Sequence, residues 1–193
     1  MSAPVAERLP SSFYARPVLE VAPALLGCVL VHGSCAGLIV ETEAYHESEP
    51  ACHAFGGPRI ANAVLFGEPG RAYVYRSYGI HALVNAVCEP QGTGAAVLIR
   101  ALTPLRGLPL MRRRRGGRPD TELANGPGKL SQALGIDLDA NGTSLRDGAV
   151  TILARTTVPE FVASQRIGIT KAADLPWRFS VAGCRDVSRP HPR

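Results

Sequence analysis

The chain has 193 residues, of which 46% are hydrophobic and 19% are charged. This composition can bury a core and excludes a wholly disordered chain, and no apolar run approaches the ~18 residues that a transmembrane helix needs. The formal net charge of +5 indicates either a compositional bias toward arginine or a polyanionic partner such as nucleic acid.

The length suits one domain. We expect residues 1–12 to be a flexible N-terminus, 13–185 to fold as a single domain and 186–193 to be a flexible tail. No secretory signal is recognisable near the start of the sequence. The cysteine number, five, is odd and no CxxC pair occurs, which favours a reducing cytoplasm over a disulfide framework or a zinc ribbon.

The first hundred residues predict one short helix and several strands. The helix is predicted over 22–26, with Pro23 in its first turn and Gly27 after its end. Extended segments are predicted, from their apolar, aromatic and β-branched content, at 28–32, 38–45, 72–78, 80–87 and 95–102.

A β-hairpin is predicted where Gly79 separates the third and fourth of these segments. Tyr78 lies at or near its tip, where an exposed aromatic ring is costly unless it inserts into something. Such a ring can stack on a base or wedge between stacked bases. The alternative is an ordinary aromatic sheet face, since Tyr73 and Tyr75 also occur in the first strand.

The second half predicts short helices and a basic loop. Residues 105–114 are expected to be helical and to run into that loop. Its consecutive basic residues are Arg112, Arg113, Arg114 and Arg115. Because adjacent arginines repel one another and cannot all be buried, the loop is either simply solvated or a mobile arm that contacts phosphates.

The later elements are a helix over 128–134 and strands at 149–154 and 178–181. Parallel βαβ units would need helices of about ten or more residues between strands, and such helices are mostly missing. The pattern therefore predicts a mixed α/β (α+β) fold with a largely antiparallel sheet and short helices.

Two carboxylates and a phenol share one face of the strand at 38–45. Side chains alternate along a strand, so Glu41, Glu43 and Tyr45 point the same way. Simple exposed alternation would explain this pattern. The alternative is a buried carboxylate pair, which is costly unless it is hydrogen-bonded and which is typical of general bases.

Three further polar residues need partners if they are buried. Asn85 lies in the apolar run LVNAV and Arg100 ends the run AVLIR. Each is either a satisfied core group or part of a pocket that reads a base edge and holds a carboxylate or phosphate. His53 is more simply structural than catalytic, and its neighbour Cys52 points away from it, so no metal site is expected.

These residues fall, in order and spacing, within segments that match one known family. The segments run from about residue 19 to about residue 181 and are 41–45 (ETEAY), 51–54 (ACHA), 66–67 (FG), 73–75 (YVY), 78–81 (YGIH), Asn85, 97–102 (VLIRAL), 126–130 (GPGKL), 166–169 (RIGI) and 176–179 (PWRF). The chain resembles the 3-methyladenine (alkyladenine) DNA glycosylases of the eukaryotic alkyladenine type, which are also found in bacteria.

The resemblance implies a single α+β domain with a curved, mostly antiparallel sheet, short helices and a protruding hairpin that intercalates into DNA. It implies an enzyme of base excision repair that flips alkylated or deaminated purines, such as 3-methyladenine or hypoxanthine, out of duplex DNA and hydrolyses the base–sugar bond. We expect a monomer that needs no cofactor, since neither a P-loop nor a GxGxxG motif is present.

The resemblance also implies residue roles. Glu43 would activate the attacking water and Arg100 would hold that water or the target nucleotide. The base pocket would comprise Tyr45, His53, Tyr75, Ile80, His81 and Asn85, with Asn85 rejecting the exocyclic amine of guanine. Tyr78 would fill the hole left in the duplex. Apart from the resemblance, the residues themselves predict contacts to the DNA backbone from Lys129, which follows a Gly-Pro-Gly turn near a helix start, and from the basic run Arg112, Arg113, Arg114 and Arg115.

Two features depart from the family pattern. Ala61 stands where the family has an arginine, which implies one DNA contact fewer. The loop from Tyr45 to His53 is one residue shorter than usual, and its usual aspartate is either missing or replaced by Glu49. The only lysines are Lys129 and Lys171, and we expect a monofunctional glycosylase that forms no Schiff base.

Three other classes of function compete with this interpretation. A non-catalytic binder of damaged DNA would use the same arginines and tyrosines but would not need Glu43. A glycoside hydrolase would use Glu41 and Glu43 as a pair, although neighbours two apart leave little room for a sugar. A purely structural protein leaves Tyr78 unexplained.

Overall fold

One curled, mostly antiparallel sheet, a half-barrel, organises the computed structural model, which describes residues 7–190. The strands are β1 (Val29–His32), β2 (Cys35–His46), β3 (Ala72–Ser77), β4 (His81–Val87), β5 (Ala95–Arg106), β6 (Val150–Leu153), β7 (Phe161–Ser164) and β8 (Arg178–Val181). The order is β3-β4-β5-β2-β1-β6, with β8 paired to β2 and β7 paired to β8. The prediction of a mixed α/β domain with a mostly antiparallel sheet is confirmed.

Strand β2 is the centre of the sheet because three strands pair with it. It pairs with β1 near its start, with β5 along most of its length and with β8 opposite Glu41, Thr42 and Glu43. Its register with β5 shifts on both sides of Glu41. Irregularities of this kind redirect side chains and often occur beside functional sites.

Short helices cover the sheet. They are α1 (Ser11–Tyr14), α2 (Val18–Ala24), α3 (Leu108–Arg114) and α4 (Pro127–Leu134), with 3-10 turns at Ile60–Phe66, Asp120–Glu122 and Leu138–Ala140. Helix α2 begins earlier than predicted and lies against β2, where the Thr42 hydroxyl donates to the Ala22 carbonyl (2.9 Å). Helix α4 buries Leu130 and Leu134 against β4.

The boundary between β5 and α3 differs from the predicted helix over 105–114. Strand β5 continues to Arg106, and α3 begins after Gly107, whose φ is 83°. A Cβ at Gly107 would come within 2.8 Å of Cys35 Sγ, so the chain turns tightly against the start of β2. The turn at Gly107 therefore sets where the helix starts.

The first three arginines of the run lie within the predicted helix over 105–114, so the basic loop begins only after them. Arg112, Arg113 and Arg114 form the last turn of α3, which the fully buried Met111 anchors to the core. Basic side chains in the last turn of a helix interact favourably with its dipole. The sequence prediction also missed β7, whose side chains are largely exposed.

Parts of both expected flexible ends are packed in the described chain. Leu9 is buried and Arg8 bridges to Leu153 at the end of β6, whereas residues 1–6 lie outside the described residues. In the expected tail, Val187 is buried and Ser188 hydrogen-bonds to Glu41; residues 191–193 again lie outside. Among the described helices, none is both long and apolar enough to cross a bilayer.

Candidate active site

The carboxylate of Glu43 lies buried near the end of β2 and accepts three hydrogen bonds. The Tyr45 hydroxyl (2.9 Å) and Arg100 Nη1 (3.0 Å) donate to Oε2, and the N–H of Ile167 donates to Oε1 (2.7 Å). The residue is 0% exposed, so these donors offset the cost of removing the carboxylate from water. A carboxylate offers about four acceptor sites, which leaves one for a further partner.

Arg100 joins the two carboxylates of β2 from the neighbouring strand β5. Its Nε lies 3.3 Å from Glu41 Oε1 and its Nη1 lies 3.0 Å from Glu43 Oε2. The guanidinium is planar and presents five fixed donors, so it can serve both carboxylates at once. The two carboxylates therefore share a face, as the alternation along β2 predicts.

Glu41 is held by residues far from it in sequence. Arg178 Nε donates to its Oε1 (2.6 Å), and the Ser188 N–H and hydroxyl donate to Oε2 and Oε1 (2.5 and 2.9 Å). Because one guanidinium occupies the space between Glu41 and Glu43, no sugar fits between them. This geometry does not suit the glycoside hydrolase alternative.

A cavity of about 240 Å³ opens beside this network. Its wall includes the aromatic side chains of Tyr45, His53, Tyr73, Tyr75 and Tyr78 together with Asn85. The Tyr73 and Tyr75 rings stack at 5.4 Å, and His53 meets Tyr75 edge-on at 4.5 Å. A concave site lined by flat rings that also carry polar groups suits a flat heterocycle with polar edges.

The loop after β2 places His53 in the cavity wall. Its Nδ1 lies 3.2 Å from the Tyr73 hydroxyl, and the Asn62 amide donates to its carbonyl (2.8 Å). Burial lowers the pKa of His53, which favours a neutral imidazole at neutral pH. Across residues 7–190, no three His, Cys, Asp or Glu side chains are grouped so that they could hold a metal ion.

Asn85 on β4 and Tyr73 on β3 form a directly opposed pair. The Asn85 amide nitrogen donates to the Tyr73 carbonyl (3.0 Å). This hydrogen bond satisfies the buried amide and fixes its orientation. Tyr73 was not among the residues predicted for the pocket. Its signal was the two-residue spacing to Tyr75, which places both rings on one face of β3.

A second cavity of about 380 Å³ adjoins the first and shares the Tyr45, Tyr75 and Tyr78 walls. Arg100 and Lys129 also line it. The Lys129 ammonium is exposed and donates to Asn125 Oδ1 (2.8 Å). Lys129 therefore places positive charge beside the aromatic cavity, whereas the charge of Arg100 is matched by Glu41 and Glu43.

The turn between β3 and β4 presents two large apolar side chains to solvent. Tyr78 is 90% exposed with a φ of 50°, and Ile80 is 69% exposed. Ile80 does not line the aromatic cavity, contrary to its predicted place in the base pocket. His81 lines the adjoining cavity but not the aromatic one, and it also lines a separate cavity together with Ile80. It packs so closely on Gly128 that a Cβ there would lie 2.8 Å from its ring.

The four consecutive arginines line neither cavity. Arg112 forms a two-pronged pair with Asp120 (2.7 Å for both bonds), and Arg114 donates to the Ala133 carbonyl (3.1 Å). Arg115 bonds the Gln132 side chain. These contacts tie α3 to its own loop and to the C-terminal end of α4, so most of the run is held in place.

Sequence reasoning assigned no role to Arg166, although its segment matched the family. Its guanidinium pairs with Glu49 (2.7 and 3.1 Å), donates to the Ala44 carbonyl (3.0 Å) and lies 4.6 Å over the Tyr45 ring. Buried arginine over an aromatic face combines ion pairing with cation–π attraction. Arg166 thus joins the loop that carries His53 to the strand that carries Glu43.

Comparison with known proteins agrees with this geometry. The family model described as methylpurine-DNA glycosylase matches residues 12–185. A Rhodopseudomonas palustris protein named as a 3-methyladenine DNA glycosylase is 58% identical over 181 residues, which cover 94% of this chain and 88% of the relative. Relatives with the same name come from Nitrobacter winogradskyi (52% identical; 94% and 88% covered) and Methanoculleus marisnigri (52% identical; 94% and 98% covered).

These relatives are bacterial and archaeal, so the qualifier "eukaryotic type" in the resemblance is not supported. The family itself is confirmed, and its members are hydrolytic enzymes. With the family model spanning almost the whole folded chain, this protein belongs to the methylpurine-DNA glycosylase family, whose activity implies base excision repair.

Proposed function

We propose that this protein is a monofunctional DNA glycosylase that acts as a monomer on duplex DNA. It flips alkylated or deaminated purines into the aromatic cavity and hydrolyses the N-glycosidic bond with a water activated by Glu43, leaving an abasic site. The observation that carries the proposal is the buried Glu43 carboxylate, whose donors Tyr45 and Arg100 both line the cavities beside it.

The chemistry follows from the charge that develops on the sugar. Breaking the bond makes the sugar cationic, and a nearby carboxylate stabilises that charge and accepts a proton from water. The acceptor site that Glu43 keeps free is the place for this water. Tyr45 and Arg100 hold the carboxylate in one orientation, so little reorganisation is needed at the moment of reaction.

The cavity favours bases that already carry a positive charge. Burial lowers the pKa of His53, so the imidazole is a poor source of a proton for a neutral leaving base. Cationic 3-methyladenine and 7-methylguanine leave without protonation. Neutral hypoxanthine and ethenoadenine would need an acid, and we expect them to be excised more slowly.

The exposed hairpin turn and the basic rim fit a duplex. Extruding a base costs a few kcal/mol, and an aromatic side chain that enters the stack offsets part of that cost. The exposure of Tyr78 at the turn supports this role. The position of Lys129 beside the second cavity supports a contact with a phosphate.

A base-release assay tests the proposal. Duplexes carrying hypoxanthine, ethenoadenine or 7-methylguanine are incubated with wild type, Glu43→Gln and the surface control Glu68→Gln, and abasic sites are then cleaved with alkali. We expect cleavage with wild type and with Glu68→Gln, and a loss of at least about a hundredfold with Glu43→Gln. Lesion-selective binding without cleavage of any duplex would instead identify a non-catalytic damage binder.

A further inference from the structure

The C-terminal segment 186–189 packs against the network that holds Arg100. We propose that Ser188 is a positioning residue for base excision, which keeps the Arg100 guanidinium on Glu43. The inference rests on the proposed function, because it assumes that Glu43 and Arg100 serve the reaction.

The Ser188 hydroxyl lies between a carboxylate and a guanidinium. It donates to Glu41 Oε1 (2.9 Å) and accepts from Nε and Nη2 of Arg100 (both 3.3 Å). The Nε and Nη2 groups form one edge of the planar guanidinium, whereas Nη1 points to Glu43 (3.0 Å). The Nε and Nη2 groups of Arg100 thus donate to Ser188 in the C-terminal segment, while Nη1 donates to Glu43.

The segment that carries Ser188 is anchored on both sides. Thr103 on β5 donates to the Asp186 carboxylate (2.5 Å), and Arg178 on β8 donates to the Arg189 carbonyl (2.5 Å). Val187 is buried between them. These anchors hold the hydroxyl of Ser188 against the network instead of leaving it on a loose end.

The balance of charge explains why a neutral hydroxyl matters here. Glu41 and Glu43 are matched by Arg100 and Arg178, so each carboxylate has one arginine available to it. Arg100 already lies 3.3 Å from Glu41. Without the hydroxyl, its free edge can form a two-pronged pair with Glu41, which would draw Nη1 away from Glu43.

Ser188 lies away from both cavities of the candidate site. It lines neither the aromatic cavity nor the cavity beside Lys129. The hydroxyl therefore affects the reaction only through Arg100 and Glu41, and its removal should slow base release without weakening the binding of DNA.

The experiment compares single-turnover base release with DNA affinity for Ser188→Ala. The substrate is the duplex that wild type cleaves fastest, and affinity is measured on a duplex that carries an uncleavable abasic analogue. Ser164→Ala is the matched control. Ser164 Oγ accepts from Arg178 Nη1 (3.2 Å), whereas Glu41 is bound by Arg178 Nε, and Ser164 contacts neither Arg100 nor Glu41. Ser188→Thr restores the hydroxyl.

We expect Ser188→Ala to slow base release about tenfold, the loss typical of a hydrogen bond to a charged group, with DNA affinity unchanged. Ser164→Ala should match wild type, and Ser188→Thr should recover most of the rate. An unchanged rate in Ser188→Ala, an equal loss in Ser164→Ala, no recovery in Ser188→Thr, or a parallel loss of DNA affinity would each overturn the proposal.

Wild type and Glu43→Gln are measured alongside these variants. Base release by wild type and its loss in Glu43→Gln support the proposed function whatever Ser188→Ala does, so the two proposals fail separately. If wild type releases no base from any lesion, the proposed function fails and the positioning role of Ser188 fails with it.

Discussion

Polar residues within apolar strands carry the candidate chemistry. From the sequence, Asn85 and Arg100 were equally consistent with satisfied core groups and with pocket residues. In the structure, Arg100 is a satisfied core group, buried and paired with Glu41 and Glu43, and it also lines a cavity. A buried polar group that has its hydrogen-bond partners and also borders a cavity is preorganised to meet a substrate there.

His53 links the pocket to the pH dependence of stability. Burial lowers the pKa of His53 in the folded protein, whereas the unfolded value is about 6.5. The unfolded chain therefore binds more protons between these two values, so the stabilising contribution is full above about pH 6.5 and is lost as pH falls through the lowered pKa.

We predict that His53→Asn weakens this pH dependence. The free energy of unfolding is measured in urea at intervals from pH 5 to pH 8 for wild type and for the variant. Wild type should lose stability toward pH 5 and the variant should lose less. Parallel curves for the two proteins would show that His53 does not contribute to the acid sensitivity.

At the scale of elements, one buried ion pair attaches the loop after β2 to the segment 166–169. Arg166 contacts Glu49, the Ala44 carbonyl and the Tyr45 ring, and the next residue, Ile167, donates to Glu43. Glu49 thus anchors the loop through its ion pair with Arg166. From the sequence, Glu49 was recognised only as a difference from the family pattern.

We predict that Glu49→Ala lowers the free energy of unfolding by about 3–5 kcal/mol, because it leaves the Arg166 charge buried and uncompensated. Arg166→Met alone should also destabilise. The double variant should be less destabilised than the sum of the two single changes, since neither charge is then left alone. Urea unfolding of the four proteins measures this coupling, and simple additivity would contradict it.

At the scale of the whole molecule, the net charge of +5 favours association with a polyanion and says little about the fold. Only some of this charge is available to DNA. Arg112 is matched by Asp120, whereas Lys129 is exposed beside the second cavity and, among residues 7–190, pairs with the neutral amide of Asn125.

We predict that Lys129→Ala weakens the salt dependence of DNA binding. The slope of log affinity against log salt concentration should become shallower by about one for each phosphate that the variant no longer neutralises. Arg112→Ala should leave the slope near that of wild type because its charge is already paired. Equal changes of the slope in both variants would contradict this expectation and would support the contacts between the arginine run and DNA that the sequence predicted.

Much of the sheet and part of the candidate site could be predicted from local sequence. The alternation in β2 places Glu41, Glu43 and Tyr45 on one face, because side chains on a strand repeat every two residues. The glycine after Tyr78 and the aromatic strand before it predicted the turn. Such signals lie within a few residues and do not depend on the rest of the chain.

The remaining contacts were decided only by the tertiary structure. Arg178 and Ser188 meet Glu41 across 137 and 147 residues of sequence, and Ile167 meets Glu43 across 124. Pairings between distant segments leave no periodic pattern in either segment, so a tail rich in serine, proline and arginine looked flexible. Its order comes from buried charges on β2, which must find partners wherever the fold brings them.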